Sequence, residues 1–464
     1  MSASVPKLST LYPPRLTPYT PGSLKEFSYI SIPLMFAALS GTLMLFLDRL
    51  VLAHYSTDAL NGCVSANVIF NIFEFAAFAI AAMSEVFVGQ YNGAKQYAKI
   101  SEPVWQMLIF SALTALVFWP IGLFGAPWLI PNEFYAEAQP YFKWLCLFGP
   151  VFSAVIALMG FYIGLGKVKF ITLIMVLGNL INLGLNILLV FGVKGWFEGM
   201  GSEGSAIASG VGQSFIAVVL LIGFLSPNSK RLYQSHRIYF CAETFIRCLK
   251  LGAPSGIGHL VAFSAWAFLV HLLAKTSDVH MTVMAICQSI WILLYFITDG
   301  IQKGMTAIAS NYLGAQQDHQ IHKVLSASVE LIALYALISF IPLFVFPDFI
   351  ILTFLNELPS SIDFEAVYQA TLVSFRWLWF CLIFDTLTWT LAGLFTAGGD
   401  TRFIMVMEIM GSWFYCVVPS YFFIVIWQAS PTLPMLLTAV YTLLMAISFY
   451  MRYLSGRWKK PLQF

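Results

Sequence analysis

Twelve apolar stretches, each long enough to cross a lipid bilayer, restrict the folds open to this chain more than any other feature. A spanning helix needs about 20 apolar residues to cross about 30 Å of hydrocarbon, and backbone groups in lipid must be hydrogen-bonded within the protein. The stretches are continuous rather than alternating, so they predict an all-α polytopic membrane protein and exclude a closed β-barrel. The predicted spans are 28–53, 64–88, 104–124, 141–163, 170–192, 204–225, 253–274, 281–304, 324–347, 367–396, 404–427 and 433–452.

Composition agrees with this class. Of 464 residues, 59% are hydrophobic and 10% are charged, whereas about 25% of the residues of a soluble domain are charged. The 24 basic and 22 acidic residues nearly balance, so membrane lipid rather than nucleic acid is the expected surrounding partner. The seven cysteines form no CxxC pair and no His/Cys cluster, so neither a metal site nor a disulfide framework is expected. The segment 1–26 holds five prolines and no apolar core, which argues against a cleavable signal peptide.

Charge distribution predicts the orientation in the membrane. Most of the 24 basic residues fall on one side of the predicted bundle, and the opposite side has only Lys194 and Lys275. The positive-inside rule then places both termini and the basic stretch 226–250 in the cytoplasm. The loop at 348–366 has no basic residue and is expected outside, since it carries Asp348, Glu357, Asp363 and Glu365. A protein of the plasma membrane with cytoplasmic termini is expected.

Two halves of the chain resemble each other. Residues 33–94 match residues 254–315 with a constant difference in residue number, so that Gly93-Ala94 matches Gly314-Ala315. We call this difference the first offset. Farther on, a slightly larger second offset relates 160–170 to 393–403. Six spans per half is an even number, so both halves enter the membrane in the same direction and are related by a pseudo-two-fold axis along its normal. The predicted divisions are an N-terminal tail at 1–26, a first lobe at 27–225, a linker at 226–250, a second lobe at 251–453 and a basic tail at 454–464.

Polar residues inside the spans of the first half suggest an ion-binding site. A charge at the centre of a spanning helix costs at least about 2.5–3.5 kcal/mol unless it meets a partner or water. Asp48 lies late in the first span, and its neighbour Arg49 points in a different direction on a helix. In the fifth span Asn182 and Asn186 share one helix face, and Ser209 in the sixth is a weaker candidate. The alternatives are an interfacial aspartate and amides that only join helices.

The second half carries its own intramembrane charges. Asp299 and Lys303 are spaced for an internal ion pair, and Asp385 stands deep in an apolar context in the tenth span. Asp400 lies at the junction of the tenth and eleventh predicted spans, where it could equally cap a helix or pair with Arg402. Other titratable residues in spans are Glu74, the more central acid of the second span, Glu85, His259 and His271.

Short motifs along the chain match those of a known family in order and spacing. The matching residues are Ile32-Pro33, Phe46-Leu47-Asp48, Gly89-Gln90-Tyr91-Asn92-Gly93-Ala94, Gly164-Leu165-Gly166, Asn182 and Asn186 with Phe191-Gly192, Met200-Gly201 with Gly204, Gly252-Ala253-Pro254, Gln288, Leu313-Gly314, Phe384-Asp385 and Gly399-Asp400-Thr401-Arg402. With these motifs the chain resembles the multidrug and toxic-compound extrusion (MATE) transporters. The resemblance covers roughly residues 25–450, and the order and spacing of its motifs are more specific than any one of them.

The resemblance implies an exporter whose two six-helix lobes form a V and which expels organic cations as protons or sodium ions flow inward. Carried over residue by residue, it implies a coupling site of Asp48, Asn182 and Asn186 with Ser209 nearby, at which Na⁺ could bind. It also implies a possible ion or substrate site in the second lobe. That second site would comprise Asp299, Asp385, Asp400 and Gln288.

Two departures from the family pattern favour the first lobe for ion coupling. Many members carry a glutamate in the seventh span, but this chain has Ala262 there. The usual arginine before the Gly-x-x-Asp of the tenth and eleventh spans is also missing, since the chain reads Phe395-Thr396-Ala397-Gly398-Gly399-Asp400.

The sequence therefore predicts a secondary active transporter, not an enzyme, that acts as a monomer with no cofactor beyond its coupling ion, H⁺ or Na⁺. Its expected substrate is an amphipathic, cationic small organic molecule. The main alternative is a flippase for a lipid-linked precursor from the same wider superfamily, which predicts a strongly cationic cavity. A major-facilitator transporter is a third reading, but its basic loop signature is absent from the segment 93–99.

Overall fold

The computed structural model describes residues 16–355 and 363–459. Twelve helices in these two ranges are long and apolar enough to span a membrane, as the sequence predicted. They are α1 Leu24–Tyr55, α2 Thr57–Gly93, α3 Tyr97–Leu129, α4 Asn132–Gly164, α5 Val168–Phe191, α6 Gly201–Phe224, α7 Ala242–Leu273, α8 Asp278–Gly314, α9 Asp318–Val345, α10 Phe364–Ala397, α11 Thr401–Ile424 and α12 Leu433–Leu454.

Shorter elements lie in the connections. Between α5 and α6 a two-stranded antiparallel hairpin pairs β1 (Gly192–Val193) with β2 (Phe197–Glu198). Short helices at Pro227–Tyr233 and Pro347–Leu355 follow α6 and α9. The two predicted tails and the predicted outer loop are described only in part. Residues 1–15, 356–362 (with Glu357) and 460–464 lie outside the described ranges.

Serine residues divide the first helix pair of each half. At Ser56 the backbone becomes extended, which ends α1, and the Ser56 hydroxyl accepts from the Asp58 amide at 3.1 Å to begin α2. Ser277 corresponds to Ser56 by the first offset, is also extended, and its hydroxyl accepts from the Val279 amide at 3.2 Å to begin α8. A serine at this position satisfies amide groups that have no partner inside the helix. The same offset therefore relates the two halves in sequence and in structure.

The turns that follow the matching motifs also repeat. Lys95 and Gln316, which correspond by the first offset, have positive φ angles of 58° and 56° after the two Gly-Ala pairs. Gly166 and Gly399, which correspond by the second offset, have φ angles of 70° and 79° in the α4–α5 and α10–α11 turns. Left-handed backbone is uncommon outside glycine, so its recurrence at both offsets shows that the halves share one fold.

In the described ranges the buried apolar residues fall into three clusters, and their membership shows how the halves meet. One cluster contains residues of both halves, such as Phe27, Phe161, Ile301 and Phe395. A second holds only residues of the first half, such as Leu52 and Phe142, and a third only residues of the second half, such as Leu269 and Phe375. The two lobes therefore join at one end and separate at the other, which forms a V. We call these the joined end and the open end.

Small residues allow the lobes to approach closely at the joined end, where α1 packs on α8 and α2 packs on α7 and α8. A Cβ atom at Gly93 would lie 2.0 Å from the carbonyl oxygen of Asn311, and one at Gly314 would lie 2.0 Å from that of Gln90. The ends of α2 and α8 thus touch backbone to backbone. Glycine at a helix interface permits this spacing.

The connection between the lobes is docked on α3. Tyr239 donates its hydroxyl proton to the Glu102 carboxylate at 2.6 Å. The Gln106 amide donates to the Tyr239 carbonyl at 2.9 Å and accepts from the Cys241 amide at 3.1 Å. Helix α7 begins at Ala242, inside the predicted linker 226–250. The predicted apolar span, 253–274, is shorter than this helix because the first turns of the helix are polar.

Candidate ion and substrate site

Three helices of the first lobe bring the predicted polar residues together. Asp48 on α1 is only 4% exposed, and its carboxylate accepts a hydrogen bond from the Asn186 amide on α5. The Ser209 hydroxyl on α6 donates to the other carboxylate oxygen at 3.3 Å. The Asn182 amide donates in turn to the Ser209 hydroxyl at 3.1 Å. All four residues named from the sequence form one connected cluster.

Close packing of α5 on α6 makes this cluster possible. A Cβ atom at Gly212 would lie 2.9 Å from the Cβ of Asn182, and one at Gly178 would lie 2.3 Å from Ile216. Larger side chains at these glycines would separate the helices, and Asn182 would lose contact with α6. One turn earlier, the Asn179 amide donates to the Ser40 hydroxyl at 2.8 Å and ties α5 to α1.

Two buried oxygen atoms of the cluster have no hydrogen-bond partner among the described residues. They are the amide oxygens of Asn182 and Asn186. A buried acceptor left unpaired costs about 1–3 kcal/mol. Carbonyl and carboxylate oxygens are the ligands that hard cations prefer. The two amide oxygens and the Asp48 carboxylate are therefore of the ligand types that suit a sodium ion, and the carboxylate is also a group that can bind a proton.

A cavity of about 340 Å³ adjoins the cluster. Asp48 and Ser209 belong to its wall, whose remainder is largely apolar and aromatic, with Phe70, Phe75 and Phe78 among its residues. This volume lies within the range of pockets that hold small organic molecules. The cavity lies mainly among α1, α2 and α4 of the first lobe.

Charged side chains also reach this cavity. Glu74 lies on its wall, and the Asn71 amide, with its nitrogen turned toward the acid, donates to Glu74 at 3.3 Å. Arg49 lines the same cavity as Asp48, so the two neighbours are not directed to separate surroundings, although Arg49 is exposed and Asp48 is buried. The second lobe contributes Lys303, a contact between distant helices that the sequence did not indicate.

The remaining predicted residues of the second lobe do not form one site. Asp299 accepts from Lys303 at 2.7 Å, which is the internal ion pair expected from their spacing. Asp400 is 1% exposed and pairs at 2.8 Å with Arg452 of α12, rather than with Arg402 nearby in sequence. Gln288 lies on α8 and is not among the residues that line either cavity described in this subsection.

Asp385 lies on a second, smaller cavity of about 60 Å³. The side chains of Trp291 and Trp389 lie beside its carboxylate. Glu408 of α11 lines the same cavity. Sequence reasoning missed Glu408, although it is a lone acid inside the predicted span 404–427 and the rule applied to other intramembrane charges would have selected it.

Taken together, the twelve helices, the repeated halves, the V and the largely apolar cavity beside a polar cluster define a two-lobe integral membrane transporter. The MatE family model matches residues 33–188 and 254–422, one segment in each half. The chain therefore belongs to the MatE family of transporters and is not an enzyme.

Known relatives resemble the chain along most of its length. A probable multidrug resistance protein NorM of Photorhabdus laumondii is 23% identical over 403 residues, which cover 84% of this chain and 85% of the relative. A probable multidrug resistance protein NorM of Bacillus cereus is 24% identical over 336 residues, covering 70% and 73%.

Solved structures share the fold at low sequence identity. An outward-facing multidrug resistance MATE family transporter of the MOP superfamily aligns with a TM-score of 0.82 at 16% identity, covering 95% of this chain and 97% of the other. The eukaryotic MATE transporter AtDTX14 aligns with a TM-score of 0.75 at 19% identity, covering 94% and 96%. At these identities the likeness establishes the fold alone.

Proposed function

We propose that this protein is an antiporter that exports amphipathic, cationic small molecules in exchange for protons or sodium ions. The coupling ion binds at Asp48, with Asn182, Asn186 and Ser209 around it, and the substrate occupies the 340 Å³ cavity. The observation that carries the proposal is the position of Asp48, a buried carboxylate that also lies on the wall of this cavity.

The cavity supports an amphipathic substrate. Its phenylalanine side chains offer apolar contact and faces that attract cations, and Glu74 offers a carboxylate. Of the two basic residues on its wall, Lys303 is already neutralised by Asp299. The other, Arg49, is exposed. This lining does not fit the strongly cationic cavity expected of the lipid-precursor flippase. The names of the NorM relatives agree with a multidrug substrate range.

Ion binding and substrate binding compete through one charge. In the proposed cycle an ionised Asp48 adds negative charge to the cavity and favours an organic cation. A proton or sodium ion that enters from the open end neutralises Asp48 and removes that attraction. Neutralisation also weakens the charge-assisted hydrogen bonds that hold α1 against α5 and α6. The substrate then leaves through the open end, and the lobes rock to the alternate state.

Sidedness follows from the basic residues. Lys95, Lys99 and Lys323 stand in or beside the turns that close the joined end, and both described chain ends lie there too. By the positive-inside rule the joined end is cytoplasmic. The conformation is then one that opens outward across the plasma membrane, as export requires. All the described residues that line the cavity come from one chain, which supports our proposal that the transporter acts as a monomer.

Efflux from proteoliposomes tests the proposal. Purified protein would be reconstituted with a fluorescent organic cation, and proton and sodium gradients would be imposed separately. We expect one gradient to drive efflux, and Asp48→Asn to abolish that coupling because the amide can neither ionise nor exchange a proton. Asp58→Asn is the matched control, since Asp58 is an exposed acid in the first turn of α2.

Either of two results would contradict the proposal. If Asp48→Asn retains the wild-type response to both gradients, Asp48 has no part in coupling. If the folded wild-type protein moves no organic cation under either gradient, a lipid-linked precursor becomes the better candidate substrate.

A further inference from the structure

A surface groove of about 490 Å³ lies at the joined end of the first lobe. Lys25 and Tyr29 of α1 line it together with Lys169 of α5 and with Tyr19 from the segment before α1. Lys25 is the second residue of α1, and Lys169 is the second residue of α5. The positive-inside rule places these helix starts on the cytoplasmic side. The groove therefore opens at the level of the headgroups of the inner leaflet.

The groove carries two positive charges. Neither Lys25 nor Lys169 forms an ion pair with a carboxylate of the described residues, and none of the described residues that line the groove is acidic. Glu26, next to Lys25 in the chain, is only 4% exposed, and its carboxylate accepts from the Tyr312 hydroxyl of α8 at 2.6 Å. Two ammonium groups without a carboxylate partner favour an anion, and lysine is a common ligand of phosphate groups.

Aromatic side chains hold one of these charges in place. The Lys169 ammonium lies 4.7 Å from the centre of the Tyr29 ring, which is a cation–π contact. The Tyr19 ring meets the Tyr29 ring edge to face, with centroids 5.5 Å apart. This contact restricts the lysine side chain without neutralising its charge. Ser28 adds a hydroxyl group to the same lining, so the groove offers a hydrogen-bond donor besides its two ammonium groups.

The lining changes from charged to apolar along α1. Lys25, Ser28 and Ile32 share one helix face, because they are three or four residues apart. The helical rise places Ile32 about 10 Å farther along α1 than Lys25. Ile32 and Phe36, one turn beyond it, are 40% and 56% exposed, and neither is among the described residues that line the 340 Å³ cavity. This face of α1 therefore offers a charged end to a headgroup and an apolar continuation to an acyl chain.

We propose that this groove binds an anionic phospholipid of the cytoplasmic leaflet. The Lys25 and Lys169 ammonium groups contact its phosphate, the Ser28 hydroxyl donates to the same group, and an acyl chain lies along Ile32 and Phe36. A zwitterionic headgroup binds more weakly, because its own ammonium group is repelled by the two lysines. The site is separate from Asp48 and from the organic-cation cavity, and lipid binding there does not depend on the proposed antiport.

Native mass spectrometry of the purified full-length protein tests the site, because it counts the lipid molecules bound to each protein. The protein would be titrated with phosphatidylglycerol, which is anionic, and separately with phosphatidylcholine, which is zwitterionic. We expect the first phosphatidylglycerol to bind more tightly than the first phosphatidylcholine. Lys25→Gln combined with Lys169→Gln should weaken the first phosphatidylglycerol binding roughly 25-fold, since one basic residue near an anionic headgroup contributes about fivefold. Lys25→Arg combined with Lys169→Arg should retain it.

Lys230→Gln combined with Arg231→Gln is the matched control. Both are exposed basic residues of the short helix Pro227–Tyr233, and neither is among the described residues that line the groove. This pair removes the same number of charges from the cytoplasmic side and should bind phosphatidylglycerol as the wild type does. A thermal unfolding scan of each variant checks that it is folded.

Three results would overturn the proposal. The folded Lys25→Gln/Lys169→Gln protein could bind phosphatidylglycerol as tightly as the wild type, which would remove the groove from lipid binding. The control pair could lose as much affinity as the groove pair, which would show attraction to diffuse surface charge rather than to a site. Inorganic phosphate at the same concentration could displace the bound lipid, which would show a site for free phosphate instead of a phospholipid.

Discussion

Gln90 and Asn311 stand at equivalent positions of the two halves, and each donates a hydrogen bond to the opposite lobe. The Gln90 amide donates to the Ala397 carbonyl at 2.8 Å, where α10 ends. The Asn311 amide donates to the Gly164 carbonyl at 2.9 Å, where α4 ends. Gly164 and Ala397 are themselves equivalent, since the second offset relates them. Two equivalent hydrogen bonds, one donated by each half, therefore close the joined end.

Removing one of these contacts should loosen the joined end. In Gln90→Ala the buried Ala397 carbonyl loses its donor, at a cost of about 1 kcal/mol, which corresponds to roughly a fivefold change in an equilibrium. We expect the open-to-closed ratio at this end to rise by that factor. Hydrogen–deuterium exchange would show it as faster exchange of the amides near residues 307–315 and 394–400.

Gln317→Ala is the control for this substitution, because Gln317 is an exposed glutamine in the turn after α8. Its exchange pattern should match that of the wild type. Equal protection of the two segments in Gln90→Ala and wild type would show that the amide contact does not hold the lobes closed.

Much of the fold was predictable because its signals are local or repeated. Twelve apolar stretches predict twelve helices, because a single stretch of chain in a bilayer can satisfy its own backbone hydrogen bonds only as a helix. The cluster of Asp48, Asn182, Asn186 and Ser209 could be named because polar residues in apolar spans are rare. Whether it couples ions stays a prediction.

Contacts between distant helices were not predictable from one sequence. Asp400 has Arg402 close by in the chain, yet tertiary packing pairs it with Arg452. Lys303 is far from the first lobe in sequence but lines its cavity because α8 packs on α1. Spanning helices are apolar on every side, so their periodicity does not tell which face meets which neighbour.

Glycine at the crossing of α2 and α8 gives a second prediction. Gly93→Ala would place a methyl group 2.0 Å from the Asn311 carbonyl oxygen, and such overpacking costs about 1–3 kcal/mol. We expect a lower midpoint of thermal unfolding in detergent. Gly184→Ala makes the same change in α5 with nothing within 4 Å, and it should stabilise the helix by about 0.5–1 kcal/mol. Equal shifts in both variants would contradict the assigned packing.

The basic C-terminal segment gives a third prediction, because two adjacent residues there differ sharply in burial. Trp458 is 1% exposed and stacks on Phe395 with ring centroids 6.1 Å apart, beneath the α10–α11 turn. Trp458→Ala should cost about 3–5 kcal/mol, as is usual for a buried aromatic residue. Lys459 forms an exposed ion pair with Asp318 at 2.7 Å, and such pairs contribute about 0–1 kcal/mol. Thermal unfolding of Trp458→Ala and Lys459→Ala should therefore differ widely, and equal small effects would show that Trp458 is not part of the folded core.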